Sequence, residues 1–404
     1  MNDASLVAET AARPRIRLLP KRHRRVKAGG PWIYSNEIVR TGPAATLEPG
    51  AIVAFENAAG EPVGSGFYNP KPLVAGRVLS RDPDKAIDRD FFRERIAAAL
   101  ALRERLFPEP FYRLIHAEAD GMPGLIVDRY GDVLSAQFNA AGFAVRPDEV
   151  IGALNDVLSP KGIIVQNDTA IRATEGLPPE AATVHGDIGQ PIELLENGLV
   201  FLADLSDGQK TGWFYDQRVN RAAVAMMAKG GRVLDVYCYL GGFGMNAAAG
   251  GAKDVTFVDR SAGALELAAE AAKRNGFADR CSFERSEAFG YLEAALKAGQ
   301  RWDVVVVDPP AFVKSRKDLS AGLRGYRKLV RLAAGVTAKR GFLFAASCSQ
   351  NVDDVQFADQ VRHGLSDANR NGRVLRTAGA GPDHPVHPFL AESAYLSSQL
   401  LQLD

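Results

Sequence analysis

Residues 232–244 read Arg232-Val233-Leu234-Asp235-Val236-Tyr237-Cys238-Tyr239-Leu240-Gly241-Gly242-Phe243-Gly244. A short apolar run ends in a carboxylate and gives way to a glycine-rich loop. The same design recurs downstream. Phe257-Val258 ends in Asp259, Val304-Val305-Val306-Val307 ends in Asp308, and Phe342-Leu343-Phe344-Ala345-Ala346 ends in Ser347-Cys348-Ser349. Helical segments separate these runs. Buried strands of strand length, alternating with helices, predict a parallel sheet with its chemistry at the carboxyl ends of the strands.

The glycine loop also fits a dinucleotide fingerprint, since Gly242-Phe243-Gly244-Met245-Asn246-Ala247 matches G-x-G-x-x-A. Five residues, however, separate Asp235 from Gly241, where the fingerprint places its first glycine almost directly after the strand. A carboxylate there repels a pyrophosphate and attracts an ammonium. The glycines are expected to let backbone approach a ligand closely, with Tyr237, Tyr239, Gly241, Gly242 and Phe243 lining the loop. Asp259 lies 18 residues after Gly241, followed by Arg260 and Ser261. Its carboxylate suits a ribose diol; the bland alternative is a cap for the next helix. Glu287, flanked by Ser286 and Ala288, can reach an adenine amino group or stand as a surface acid. Upstream, the polar and aromatic run containing Gln209, Lys210, Thr211 and Phe214 is expected to cover the cleft, the alternative being a capped helix start. Ammonium, ribose and adenine sites in this order describe S-adenosylmethionine, and the motif set resembles the class I (Rossmann-like) methyltransferase superfamily. A hydride-handling site, which a dehydrogenase needs, is not visible.

Asp308-Pro309-Pro310-Ala311-Phe312 supplies the next element. The prolines stiffen the loop. Its polar groups can bond the edge of a planar base, Phe312 can stack on its face, and Lys314 follows. Cys348 then stands at the end of the next strand. A single cysteine is usually a small buried hydrophobe, a reading that fits Cys238 and Cys281 better. Carbon 5 of cytosine becomes nucleophilic once a thiolate adds to carbon 6. Cys348 is the candidate thiolate and Asp308 the candidate acid at N3. A ring nitrogen or amine would need the Asp-Pro-Pro loop and no cysteine.

The 404-residue chain has ordinary composition, 46% apolar and 24% charged, and a net charge of +1. Two or three domains are expected. Eight Lys/Arg and no acid lie between Arg13 and Lys27. Within them Lys21, Arg22, Arg24 and Arg25 form a candidate RNA grip; a solvated face is the alternative. Residues 13–82 read as a small β-barrel and 83–191 as a β-rich α+β unit. There His116, Glu118 and Asp120 are expected to be turn and surface residues. Residues 192–404 carry the cofactor sheet. Three cysteines without a Cys-x-x-Cys pair predict no metal site and a reducing cytoplasm. No apolar run approaches the roughly 20 residues of a membrane span.

Taken together, these motifs resemble the RlmI-type large-subunit ribosomal RNA cytosine-C5 methyltransferases. The resemblance rests on Pro31-Trp32-Ile33-Tyr34-Ser35-Asn36, on the Asp-Gly-Met-Pro-Gly-Leu-Ile-Val-Asp run of residues 120–128, and on Gln209-Lys210-Thr211-Gly212 with Asp216-Gln217-Arg218. Asp308-Pro309-Pro310, Ser347-Cys348-Ser349 and Asp383-His384-Pro385 complete it. It implies an N-terminal PUA domain that grips RNA and a strand-strand-helix-strand-strand middle domain. It also implies a Cys348 nucleophile, a cytosine in 23S ribosomal RNA as target, and a homodimer. Pro310 stands where many RNA cytosine-C5 enzymes carry a second cysteine that helps release product. The rival expectations are a guanine-N7 or amino-group methyltransferase on the same fold, and a non-catalytic RNA-binding assembly factor.

Overall fold

The computed structural model describes residues 13–205 and 212–404. The N-terminal unit contains β1 (Arg15–Arg17), α1 (Arg24–Ala28), β2 (Trp32–Tyr34), β3 (Ala51–Glu56), β4 (Pro62–Tyr68) and β5 (Val74–Ser80). Its strands form one sheet in the order β1-β3-β4-β5-β2. The alternation in Arg15-Ile16-Arg17 sends Ile16 inward, beside Val53, Phe55 and Tyr68. Gly66 marks a close approach of backbones, because a Cβ there would run into the Arg77 carbonyl of β5.

The middle unit contains α2 (Arg89–Leu106), β6 (Phe111–His116), β7 (Leu125–Tyr130), β8 (Val133–Phe138), α3 (Ala141–Ala144), α4 (Pro147–Leu158), β9 (Gly162–Val165), α5 (Ala170–Thr174) and β10 (Thr183–Gly186). Asp88 caps α2 by accepting from the Phe91 amide at 3.0 Å. The helix buries Phe91, Phe92, Ile96 and Ala99, while Leu106 is exposed. The sheet runs β10-β9-β8-β7-β6. The expected run of two strands, a helix and two strands is present as β7, β8, α4, β9 and β10, with β6 added at one edge.

The remainder contains the hairpin β11 (Ile192–Glu196) and β12 (Leu199–Ala203), then α6 (Arg218–Ala225), β13 (Arg232–Val236), α7 (Gly242–Ala249), β14 (Asp254–Asp259), α8 (Ala262–Arg274), β15 (Cys281–Arg285) and α9 (Ala288–Lys297). It continues with β16 (Trp302–Val307), α10 (Leu319–Val336), β17 (Thr337–Ser347), α11 (Asp354–Asp367), β18 (Gly372–Ala378) and β19 (Ser397–Leu403). Seven strands form a sheet in the order β15-β14-β13-β16-β17-β19-β18. Strands β13 to β17 are parallel, and β19 runs antiparallel to both neighbours. The order reverses at β13, so a crevice opens beyond the carboxyl ends of β13 and β16. No helix among the described residues is long and apolar enough to cross a membrane.

The expectation that His116, Glu118 and Asp120 are surface groups is overturned. Asp120 pairs with the buried Arg103 guanidinium through both carboxylate oxygens, at 2.6 and 2.7 Å. Arg103 also donates to the Asp383 carbonyl at 3.0 Å, and the Arg113 amide donates to the Asp383 carboxylate at 3.1 Å. The middle unit is thereby bonded to the Asp383-His384 turn of the large sheet's unit. Glu118 accepts from the Trp32 indole at 2.8 Å and from Arg77 at 3.0 Å, which bonds it to the N-terminal unit. Burial, then the nearby His384, Arg113 and Arg103, push His116 down to about 2, so it is neutral. Sequence spacing hid these roles because the side-chain partners Arg103, Trp32 and Arg77 lie 17, 86 and 41 residues away.

Replacing Asp120 by Ala leaves the Arg103 charge buried and unpaired. The expected outcome is a loss of about 3–5 kcal/mol of stability, read as a lower urea midpoint with an unchanged slope.

Candidate active site

The crevice is built from five strand ends. At the first, Asp235 is almost fully buried, and its Oδ2 accepts from the Gly244 amide at 2.8 Å. That bond ties β13 to the first turn of α7. Its Oδ1 is buried and has no hydrogen-bond partner among the described residues. Burial is the main cause that raises its pKa to about 7; Asp308 and Asp259 push the same way, while the Gly244 amide and Arg221 oppose. An acceptor in this state gains from an arriving ammonium.

The loop that follows is strained. Tyr237 and Tyr239 adopt φ of 65° and 49°, a region costly for residues with a Cβ. The amides of Tyr237 and Cys238 both donate to the Val258 carbonyl, at 3.0 and 3.2 Å. The Tyr239 amide donates to Asp259 Oδ2 at 3.0 Å, and its hydroxyl to the Gly212 carbonyl at 3.1 Å. Phe214 meets the Tyr239 ring edge-on at 5.5 Å, so residues 212–214 lie over the loop. Gln209, Lys210 and Thr211 fall outside the described residues.

Two expectations about this loop are corrected. The glycines make room for the protein's own interior, since a Cβ at Gly244 would overlap the Phe257 ring and one at Gly242 would lie 2.5 Å from Arg221. Gly241 is needed for its φ of 79° at the start of α7. Phe243 is core, packed on Phe344 at 4.8 Å, and does not face the cleft. Cys238 is buried, and burial raises its pKa well above the usual thiol value, which suits an inert residue.

Asp259 does not cap α8; Ser261 does, by accepting from the Ala264 amide at 3.3 Å. Asp259 clamps the loop instead, with Oδ1 accepting from the Ser261 amide at 2.9 Å. Each oxygen keeps a second acceptor site for a diol. Arg260 is exposed and Ser286 half-buried, and the Ser286 amide donates to the Asp259 carbonyl at 3.0 Å. Glu287 is exposed at the start of α9, and the Ala288 side chain is core. Burial raises the Tyr237 pKa first, and the negative charges of Glu287 and Asp259 raise it further.

At the fourth and fifth strand ends the chemistry-bearing groups meet. Strands β16 and β17 pair in parallel through Val307 and Ala345. Asp308 and Cys348 are both half-buried. The Cys348 thiol lies 3.9 Å from the Pro309 carbonyl. The Tyr326 hydroxyl and Ser349 Oγ share a hydrogen bond of 2.8 Å, and Ser349 Oγ accepts from the Val313 amide at 3.2 Å. These bonds fasten the loop after Pro310 to the cysteine turn. Sequence reasoning quoted Ser349 without assigning it work and passed over Tyr326. The fourteen-residue spacing from Phe312 to Tyr326 carries no local signal.

Phe312 is half-buried, with its ring 4.7 Å from that of Tyr326 and 6.1 Å from that of Phe289. Pro310 and Lys314 are exposed at the cleft's edge. In the basic cluster Lys21, Arg22 and Arg24 are exposed, whereas Arg25 bonds Glu37 at 2.8 Å and the Trp32 carbonyl at 3.0 Å. Arg25 is therefore a structural member of the group and not a free phosphate ligand.

Known proteins share this architecture. Residues 177–363 match the S-adenosylmethionine-dependent methyltransferase family, and residues 16–81 match the PUA-like domain. The chain is 34% identical to ribosomal RNA large subunit methyltransferase I of Aeromonas hydrophila over 96% of this chain and 98% of that one. It is 35% identical to the protein of the same name from Shewanella denitrificans, over 95% and 97%. The chain belongs to the ribosomal RNA large subunit methyltransferase I family. Its cofactor is S-adenosylmethionine. The fold is shared with SMU.776, described as a methyltransferase and solved with SAH bound, at a TM-score of 0.82 and 21% identity, over 96% of this chain and all of that one. The unpartnered Asp235 oxygen fits an amino-acid end, and the Asp259 carboxylate at the loop fits a ribose.

With its pKa near 7, Asp235 carries its charge only at higher pH. Cofactor affinity is expected to rise as pH climbs through 7 and to flatten in Asp235→Asn. Without cofactor the sign is opposite: the raised pKa favours the protonated native state, so stability falls as pH rises from the ordinary carboxylate range to about 7. Calorimetric titration of the cofactor and thermal melts across pH 5.5–8.5, roughly the range that brackets the transition, check both.

Proposed function

We propose that this protein methylates carbon 5 of a cytosine in large-subunit (23S) ribosomal RNA through a covalent adduct of Cys348 with carbon 6. The observation that carries the reading is the half-buried Cys348 thiol lying 3.9 Å from the Pro309 carbonyl, beside the Asp308 loop. The name shared by its relatives, ribosomal RNA large subunit methyltransferase I, supports the class of substrate. The PUA-like match over residues 16–81 supports an RNA-binding role for the N-terminal unit. In this reading residues 13–82 bind RNA, 83–191 bridge, and 192–404 catalyse.

The bound cofactor supplies an electrophilic methyl group on a sulfonium. Asp308 holds a proton against the cytosine N3. The Cys348 thiolate adds to carbon 6, the ring electrons move toward N3 as it takes that proton, and carbon 5 becomes enamine-like. Carbon 5 forms its bond to the methyl carbon as the methyl–sulfur bond breaks. A base then takes the carbon 5 proton, the 5,6 double bond re-forms, the thiolate leaves, and Asp308 recovers its proton. Pro310 replaces the second cysteine seen in many RNA cytosine-C5 enzymes, so release depends on that base.

Cys348→Ala should lower methyl transfer to ribosomal RNA by roughly 10³-fold or more while leaving cofactor affinity unchanged. Retained turnover would instead favour transfer to a ring nitrogen or an exocyclic amine.

A further inference from the structure

The N-terminal unit and the unit of the large sheet face each other across a cavity of about 370 Å³ that lies outside the methyl-transfer crevice. One wall is the end of α1 and strand β2, with Arg25, Gly30, Trp32 and Tyr34; the other is the turn Pro388–Glu392. Its volume is at the lower end for small-ligand sites, which suits one nucleoside and excludes a duplex.

The walls are aromatic and cationic. The Trp32 and Tyr34 rings lie 6.4 Å apart at 72°, and both are half-exposed. The Arg25 guanidinium sits 4.3 Å from the Tyr34 ring centre. Opposite them Phe389 is 54% exposed, an unusual state for a large apolar ring. Phe389 reaches this place because Gly29 lacks a side chain; a Cβ there would be 2.6 Å from the ring. Gly29 also has a φ of 124°, which glycine tolerates.

The platform is preorganised. The Trp32 indole is pinned to Glu118 at 2.8 Å, and Arg77 bonds both Glu118 and Glu175, at 3.0 and 2.7 Å. The Phe389 amide donates to His387 Nδ1 at 3.2 Å, which fixes the turn. Rings held in advance lose little freedom on binding. Outside the cavity Lys21, Arg22 and Arg24 are exposed on the segment that leads into α1, where phosphates would pass. Glu392 on the opposite rim can accept from a base amino group and repels a phosphate. Four residues separate Leu390 from Tyr395, a span of at most about 18 Å. Tyr395 and Cys348 both pack on the rim of the same hydrophobic core.

We propose that this cavity is a stacking subsite for one unpaired nucleobase of the RNA strand that flanks the target, held between Trp32, Tyr34 and Phe389. The subsite rests on the RNA-methylation reading above and would let the enzyme require single-stranded sequence beside the modified position. It also explains why a wall of the cavity comes from the catalytic unit: the N-terminal unit alone cannot close it.

The test uses fluorescence. Of the three tryptophans, Trp213 and Trp302 are buried and Trp32 is not. Titration of the full chain with a short single-stranded oligoribonucleotide should quench the Trp32 emission, and the matching duplex should not. Phe389→Ala should weaken oligonucleotide binding by about 5- to 100-fold. Its exposed position predicts an unchanged thermal midpoint. Trp32→Phe should abolish the quench and keep binding within several-fold. Full affinity in Phe389→Ala with no change in Trp32 emission overturns the subsite and leaves methyl transfer intact. Failure of the native chain to bind either RNA overturns both readings.

Discussion

The parallel pairing of β16 with β17 is the constraint on which the site depends. Val307 stands opposite Ala345, so both strands end at the same level. One delivers Asp308 and the other delivers Cys348. These residues are forty positions apart in sequence, yet the thiol meets the next carbonyl in the Asp-Pro-Pro loop at 3.9 Å. A register shift by one residue would turn the strand ends toward opposite faces and separate the pair. Tyr326 and Ser349 guard against smaller errors, because their hydrogen bonds fasten the two loops to each other.

The cofactor end follows a different logic. A carboxylate buried at Asp235 is costly to ionise, and among the described residues one amide, that of Gly244, donates to it. The cost is recovered when a cation arrives. Strain at Tyr237 and Tyr239 belongs to the same arrangement, because it lets three successive amides reach Val258 and Asp259 and holds the loop open. Buried ion pairs do comparable work between the units. Arg103, Asp120 and Asp383 lock the middle sheet to the catalytic unit, and Trp32, Glu118 and Arg77 lock it to the N-terminal sheet. Relative motion of the three units would break these charged contacts, of which the Arg103–Asp120 pair is almost wholly removed from water, so the units keep a fixed mutual geometry.

Much of this was legible in the sequence because buried parallel strands read as apolar runs. The runs ending at Asp235 and Asp308 could be placed to within two residues of the observed strands, and the polar group at each end marked the crevice. The middle strand-rich unit was legible through its turns. Contacts that depend on distant partners were not. Phe243 looks like a cofactor-lining residue in sequence, but it is buried against Phe344. Arg25 reads as one of a run of free cations, but Glu37 holds it. Asp120 reads as a turn residue because nothing local announces Arg103. The loop glycines read as room for a ligand, but a Cβ at Gly244 or Gly242 would meet Phe257 or Arg221.

The central claim is that Cys348 forms a bond to the target base. Ribosomal RNA carrying 5-fluorocytidine at its cytosines would trap that bond, because fluorine cannot leave as the proton does. Incubated with the protein and S-adenosylmethionine, it should give a species resistant to denaturation, with the RNA attached to the peptide that contains Cys348. A stable methylated product without any protein–RNA adduct, or an adduct mapped to Cys238 or Cys281, would contradict the account.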